Sequence, residues 1–140
     1  MADMESRHVS VWIETPPELV YEFAADPQTW PRWAAGLAEG GLRQAAEGWV
    51  ADSPMGQVTV EFAPPNTFGV LDHVVRLPSG EAVYNPMRVV PGGVSEEGYE
   101  PHCEVIFTVR RRPGMTDADF DADADAVAKD LATLRSLVER

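Results

Sequence analysis

The amino-acid sequence predicts an α+β fold in which a seven-stranded antiparallel sheet wraps around one long C-terminal helix, with two short helices after the first strand. Three observations carry this. Residues Arg7–Glu14 alternate apolar and polar side chains, the stretch from Gly40 to Arg112 is cut into short runs by turn residues, and the last segment repeats apolar residues at a helical period.

In the first strand Val9, Val11 and Ile13 share one face and His8, Ser10, Trp12 and Glu14 the other. Thr15-Pro16-Pro17-Glu18 then reads as a capping box, with Thr15 at the N-cap, Pro16 at the first helical position and Glu18 reaching back. Leu19, Val20 and Phe23 form the buried stripe of this helix. Asp26-Pro27 ends it and caps a second short helix, on which Trp30, Trp33, Ala34 and Leu37 recur at helical spacing despite Pro31. The turn marks Glu47-Gly48, Pro54-Met55-Gly56, Pro64-Pro65-Asn66, Pro78-Ser79-Gly80 and Pro91-Gly92-Gly93 separate strands near 41–46, 49–53, 57–63, 67–77, 82–90 and 102–112. Connections this short make the strands an antiparallel meander. Pro91 to Pro101, rich in Gly and Glu, is expected to form an exposed, mobile loop. Thr116-Asp117-Ala118-Asp119 caps the last helix and sets acids at the positive end of its dipole. Behind that cap, Phe120, Ala124, Val127, Leu131, Leu134 and Val138 form one apolar stripe, which must lie against something large and apolar.

With 140 residues, no repeat and no low-complexity linker, residues 1–140 read as a single domain, long enough to bury a core without disulfides or a structural metal. No run approaches the roughly 18 apolar residues of a membrane span, and the N-terminus lacks a secretory signal, so a cytoplasmic protein is expected. The lone Cys103 agrees with that compartment. With three scattered His it matches no zinc-ligand spacing, and no metal or cofactor is expected. The net charge of −12 repels phosphate backbones and disfavours nucleic acid as a partner. Asp117, Asp119, Asp121, Asp123, Asp125 and Asp130 lack the central Gly and closing Glu of a calcium loop, and read as a solvated helix start.

The run from the first strand into Thr15-Pro16-Pro17-Glu18-Leu19-Val20-Tyr21-Glu22-Phe23, then Asp26-Pro27 and Trp30-Pro31-Arg32-Trp33, resembles the opening of the START-like (SRPBCC) superfamily. The resemblance resumes at Gly69-Val70-Leu71-Asp72-His73, Met87-Arg88-Val89-Val90 and Glu104-Val105-Ile106-Phe107-Thr108-Val109, and so covers nearly the whole chain. It implies a helix-grip fold, a curved sheet gripping the C-terminal helix around an apolar cavity. It implies no catalytic residue, because that superfamily shares an architecture rather than one catalytic motif.

Strand parity names the side chains that would reach such a cavity. Leu71, His73, Val75 and Leu77 form the more apolar face of one strand, Val83, Asn85, Met87 and Val89 of the next, and Cys103, Val105, Phe107 and Val109 of a third. A turn at Pro78-Ser79-Gly80-Glu81 pairs Leu77 with Val83, which sets His73 opposite Met87 and Asp72 opposite Arg88 as an exposed ion pair on the outer face. Asp72 and His73 then point to opposite faces and form no catalytic dyad. Cys103 reads as inert packing. Arg110-Arg111-Arg112 reads as a solvated strand end. The chain has no nucleophile elbow, zinc-protease motif or phosphate loop.

The expected ligand-binding residues are His73, Asn85, Met87, Trp33, Cys103 and Phe107, with His73 and Asn85 orienting an uncharged or weakly anionic hydrophobic small molecule. Two other functions stay open: an enzyme of the polyketide cyclase or dehydrase kind, and an interaction module of the chaperone-activator kind. Trp12 on the outer face of the first strand leaves a homodimer open as well.

Overall fold

Alternating apolar and polar residues make Ser6–Ile13 a strand, β1, whose last residue is fully buried. The computed structural model describes residues 4–35, 40–54 and 56–139. Leu37, assigned to the second short helix, and Met55, in a turn mark, lie outside the described residues.

Helix α1 spans Pro17–Ala25 and starts one residue later than the capping-box reading predicts. Pro16 precedes another proline, which disfavours the helical region for it. It accordingly sits extended at ψ 142 as the N-cap, with no side-chain cap. Thr15 is thereby released, and its Oγ1 donates to the Val138 carbonyl at 3.0 Å, tying the entry of α1 to the end of the last helix. Asp26 does cap the following short 3-10 helix, Pro27–Arg32, its Oδ1 accepting from the Gln28 N–H at 2.9 Å.

The strands are β2 (Leu42–Ala45), β3 (Gly48–Ser53), β4 (Gly56–Phe62), β5 (His73–Arg76), β6 (Ala82–Asn85), β7 (Met87–Pro91), β8 (Val94–Ser95), β9 (Gly98–Tyr99) and β10 (Cys103–Arg110). They pair antiparallel in the orders β2-β3-β4-β5-β6 and β1-β10-β7. Pro86, which has no N–H to give to a ladder, separates β6 from β7. Beyond it the same pairing resumes: Val70 bridges Arg88, and the Leu71 N–H donates to the Met87 carbonyl at 2.8 Å. Counted as one bent strand, β6 and β7 join the two orders into the expected seven-stranded sheet. The strand expected over 67–77 keeps a continuous ladder only at His73–Arg76. Before it the chain turns through Gly69 at φ +73, where a Cβ would collide with the Val89 carbonyl. The loop expected between Pro91 and Pro101 folds into an exposed hairpin, β8-β9.

The register between β5 and β6 differs from the expected one by two residues. His73 faces Asn85, Val75 faces Val83 and Arg76 faces Ala82. A slip of two preserves which face each side chain takes, so Leu71, His73 and Val75 still point inward. Asp72 still meets Arg88, but not as an exposed pair: Asp72 is only 5% exposed. Its carboxylate accepts from Arg88 Nε and Nη2 at 3.0 Å each, from the Tyr84 hydroxyl at 2.7 Å and from the Met87 N–H at 2.9 Å. The carboxylate thus supplies, at the Pro86 break, the acceptor that the interrupted ladder lacks.

Helix α2, Asp117–Val138, opens with the predicted capping box between Thr116 and Asp119. Phe120, Ala124, Leu131 and Leu134 are buried, while Val127 and Val138 pack at the margin of the core. Its N-terminal end is clamped by guanidinium groups over the Phe120 ring, Arg7 at 4.4 Å and Arg111 at 5.8 Å. Arg111 also pairs with Glu5 and Asp117, and Arg112 with Glu81, so neither is a free anion site.

The helix lies mainly on β1 and β10. The buried apolar residues accordingly fall into two clusters. One joins α1, the tryptophans and α2 to β1, β7 and β10, and a smaller one holds Ala51, Val58, Val60 and Val75 on the β3-β4-β5 side.

Candidate functional site

A cavity of about 230 Å³ opens between these two clusters. Its sheet wall comes from β5 and β6 (His73, Val75, Val83, Asn85) and from β10 (Phe107, Val109). Trp30, Trp33 and Ala34 close one side and the α2 residues Asp123, Ala126, Val127, Asp130 and Leu131 the other. Sites for drug-sized ligands occupy roughly 300–1,000 Å³. This space therefore suits a compact molecule of one or two rings.

Of the residues expected at the site, His73, Asn85, Trp33 and Phe107 line the cavity. Met87 and Cys103 do not. Both are fully buried in the larger cluster, Met87 opposite Phe107 and Cys103 between Ile13 and Pro91 in the ladder. Cys103 Sγ contacts the Thr15 carbonyl at 3.5 Å, and burial raises its thiol to about 11.

His73 is 3% exposed and ringed by aromatic edges: Trp30 at 4.8 Å and near-perpendicular, and Phe107 at 5.6 Å. Its Nδ1 lies 3.0 Å from the Leu71 carbonyl, which can only accept, so Nδ1 carries the proton and Nε2 presents a lone pair. Among the described residues Nε2 has no hydrogen-bond partner, and it is not sealed from solvent-sized space. Burial lowers the His73 pKa to about 4, against the opposing pull of the Leu71 carbonyl and the Asp72 charge. The ring is neutral at physiological pH. Asn85, directly across the strand pair, likewise has no side-chain partner among the described residues.

The helix contributes polar groups that the sequence reading assigned to solvent. Asp130 accepts from the Ala35 N–H at 3.3 Å through Oδ1, and burial raises its carboxyl to about 6, with the Ala35 bond opposing. Asp123 is also raised by burial, with Arg112 opposing. A signal for both was present. Asp123, Val127, Asp130 and Leu131 follow helical spacing on one face, so the acids border the apolar stripe instead of opposing it. Trp30 Nε1 bonds the Ala24 carbonyl at 2.9 Å, which fixes the indole as a rigid wall.

The tertiary arrangement matches solved structures of low sequence identity. A START superfamily protein from Mycobacterium smegmatis superposes with a TM-score of 0.64 at 12% identity, over 98% of this chain and 98% of that one. The Zhui aromatase/cyclase from a Streptomyces species does so with a TM-score of 0.67 at 14% identity, covering 99% of this chain and 95% of that one. The protein XoxI from Bacillus cereus gives a TM-score of 0.71 at 14% identity, over 96% of each chain. No protein-family model matches the sequence, and no curated protein matches it. The chain thus has the START-like, helix-grip fold that its local motifs resemble. None of its described helices is long and apolar enough to cross a membrane, and no group of three or more His, Cys, Asp or Glu among the described residues could hold a metal ion.

Proposed function

We propose that this protein binds a small hydrophobic molecule in the cavity between the sheet and α2, acting in the cytoplasm, with His73 and Asn85 orienting the ligand against the Trp30, Trp33 and Phe107 walls. The observation that carries this reading is His73 in the cavity wall, its Nε2 lone pair without a partner among the described residues. Water can reach this atom, and a ligand that displaces that water keeps the site satisfied by bringing a donor of its own. The neutral two-ring dye 1-aminonaphthalene, an N–H donor on an apolar body, tests the idea. Its fluorescence is expected to rise saturably, one dye per chain, with the folded protein. His73→Leu removes one hydrogen bond of about 1 kcal/mol and lowers the affinity roughly fivefold. A linear, unsaturable rise with the parent protein would remove the reading.

A second reading, cyclase-type catalysis, draws on the same atom. A neutral imidazole in the cavity wall can accept a substrate proton. It would appear as conversion of a bound polyketone-like compound by the parent protein and none by a folded His73→Leu variant.

A further inference from the structure

The polar groups of the cavity are unequal in kind. His73 Nε2 is an acceptor, because Nδ1 keeps the ring proton and donates it in a hydrogen bond to the Leu71 carbonyl. Asp130 and Asp123 are acceptors. Arg112, the cation at the rim, is already paired with Glu81 at 3.2 Å. Asn85 offers an uncommitted amide donor, and Arg112 keeps the N–H groups that its one contact with Glu81 does not use. Two carboxylates against one guanidinium leave the lining net negative while His73 is neutral, and the chain charge of −12 adds a field of the same sign.

We propose that the cavity selects an apolar molecule bearing a protonated amine, with the ammonium held by the Asp130 carboxylate on α2 and the apolar body lying between the tryptophans and β6. The proposal rests on the cavity-binding reading above and narrows its ligand class. A weakly anionic ligand, which strand parity alone left open, would meet the same lining with repulsion. Asp130 is suited to the part: its Oδ1 is fixed by the Ala35 N–H, its Oδ2 makes no hydrogen bond among the described residues, and Val127 and Leu131 flank it. An ammonium within contact distance would offset the desolvation of this carboxylate, and the charge-assisted bond is about twice as strong as a neutral one. His73 supplies the independent mark of a ligand site: it lines the same space, is more than nine-tenths buried and has no partner at Nε2 among the described residues.

Three probes with one ring system test this: naphthylmethylamine, naphthalenemethanol and naphthoic acid, titrated at neutral pH and followed by tryptophan fluorescence. The amine is expected to bind about tenfold more tightly than the alcohol and the carboxylate most weakly. In Asp130→Asn, which can keep the Ala35 bond, amine and alcohol affinities should converge while the alcohol affinity holds. In Asp125→Asn, which removes an exposed charge outside the cavity lining, the amine preference should persist. Equal binding of amine and alcohol by the parent protein, a preference that survives Asp130→Asn, or one erased by Asp125→Asn would each overturn the amine proposal while leaving cavity binding intact. Binding of none of the three would remove both.

Discussion

Replacing Leu131 by alanine is expected to lower the unfolding free energy by about 2–5 kcal/mol, the range for truncating a buried leucine. Leu131 is 1% exposed and stands where the C-terminal helix meets both the larger apolar cluster and the cavity wall. Its removal deletes packing against that cluster and widens a space that the surrounding strands cannot close. The stripe from Phe120 to Val138 has no partner within its own helix, so helix and sheet lose contact together. Chemical denaturation reads the effect directly. A change below about 0.5 kcal/mol, as at surface positions, would contradict the placement of this helix.

The second large effect is expected at Asp72. Asp72→Ala should cost about 2–3 kcal/mol, as for loss of hydrogen bonds to a charged group. The Arg88 side chain is 49% exposed and stays hydrated without its partner, which keeps the cost below that of breaking a wholly buried pair. The Met87 N–H, however, is left without an acceptor beside the Pro86 break. The dependence on pH has a defined sign. Bonding to Arg88, then to Tyr84 and the Met87 N–H, outweighs burial and holds the Asp72 carboxyl at about 2, below its ordinary 3.8. That contribution is present above pH 3.8 and lost as pH falls through about 2. His73, lowered from 6.5 to about 4 by burial, adds an earlier loss as pH falls from 6.5 through about 4. Asp130, raised from 3.8 to about 6, acts oppositely, because the folded chain binds its proton more tightly in that interval. Melting temperatures followed downward in pH should therefore fall more steeply between 6.5 and 4 in Asp130→Asn than in the parent protein. Parallel curves would contradict the assignment.

The sequence made the faces of the strands legible, and left their register open. Alternation of Leu71, His73 and Val75 with Val70, Asp72 and Val74 decides which side chains point inward, because a wrong face would expose a whole apolar set. A two-residue slip exposes nothing, so the pattern could not choose between His73 facing Met87 and His73 facing Asn85. The structure sets it through the turn, where the Gly80 N–H donates to the Leu77 carbonyl and the Leu77 N–H to the Glu81 carbonyl. The burial of Asp72 was hidden for a related reason: an acid opposite an arginine reads as a surface pair until the Pro86 gap is seen to need an acceptor. The start of α1 was misplaced through the Pro16-Pro17 pair, whose mutual restriction outweighs the capping motif. One wall of the cavity lay on the acidic helix, where a count of charges masks Asp123 and Asp130 although helical spacing places them beside Val127 and Leu131.

Everything functional here depends on the space between α2 and the β5-β6 strands being an accessible binding site. Val83 projects into it from β6, opposite Val75, so Val83→Phe should fill the space without disturbing the strand ladder. The decisive measurement is tryptophan fluorescence of the parent protein and this variant titrated with naphthalenemethanol, Trp30 and Trp33 being the reporters in the wall. A saturable change in the parent protein, weakened about tenfold or more in Val83→Phe at an unchanged unfolding midpoint, is the predicted result. Equal affinity in the two proteins would contradict it, since binding would then lie elsewhere.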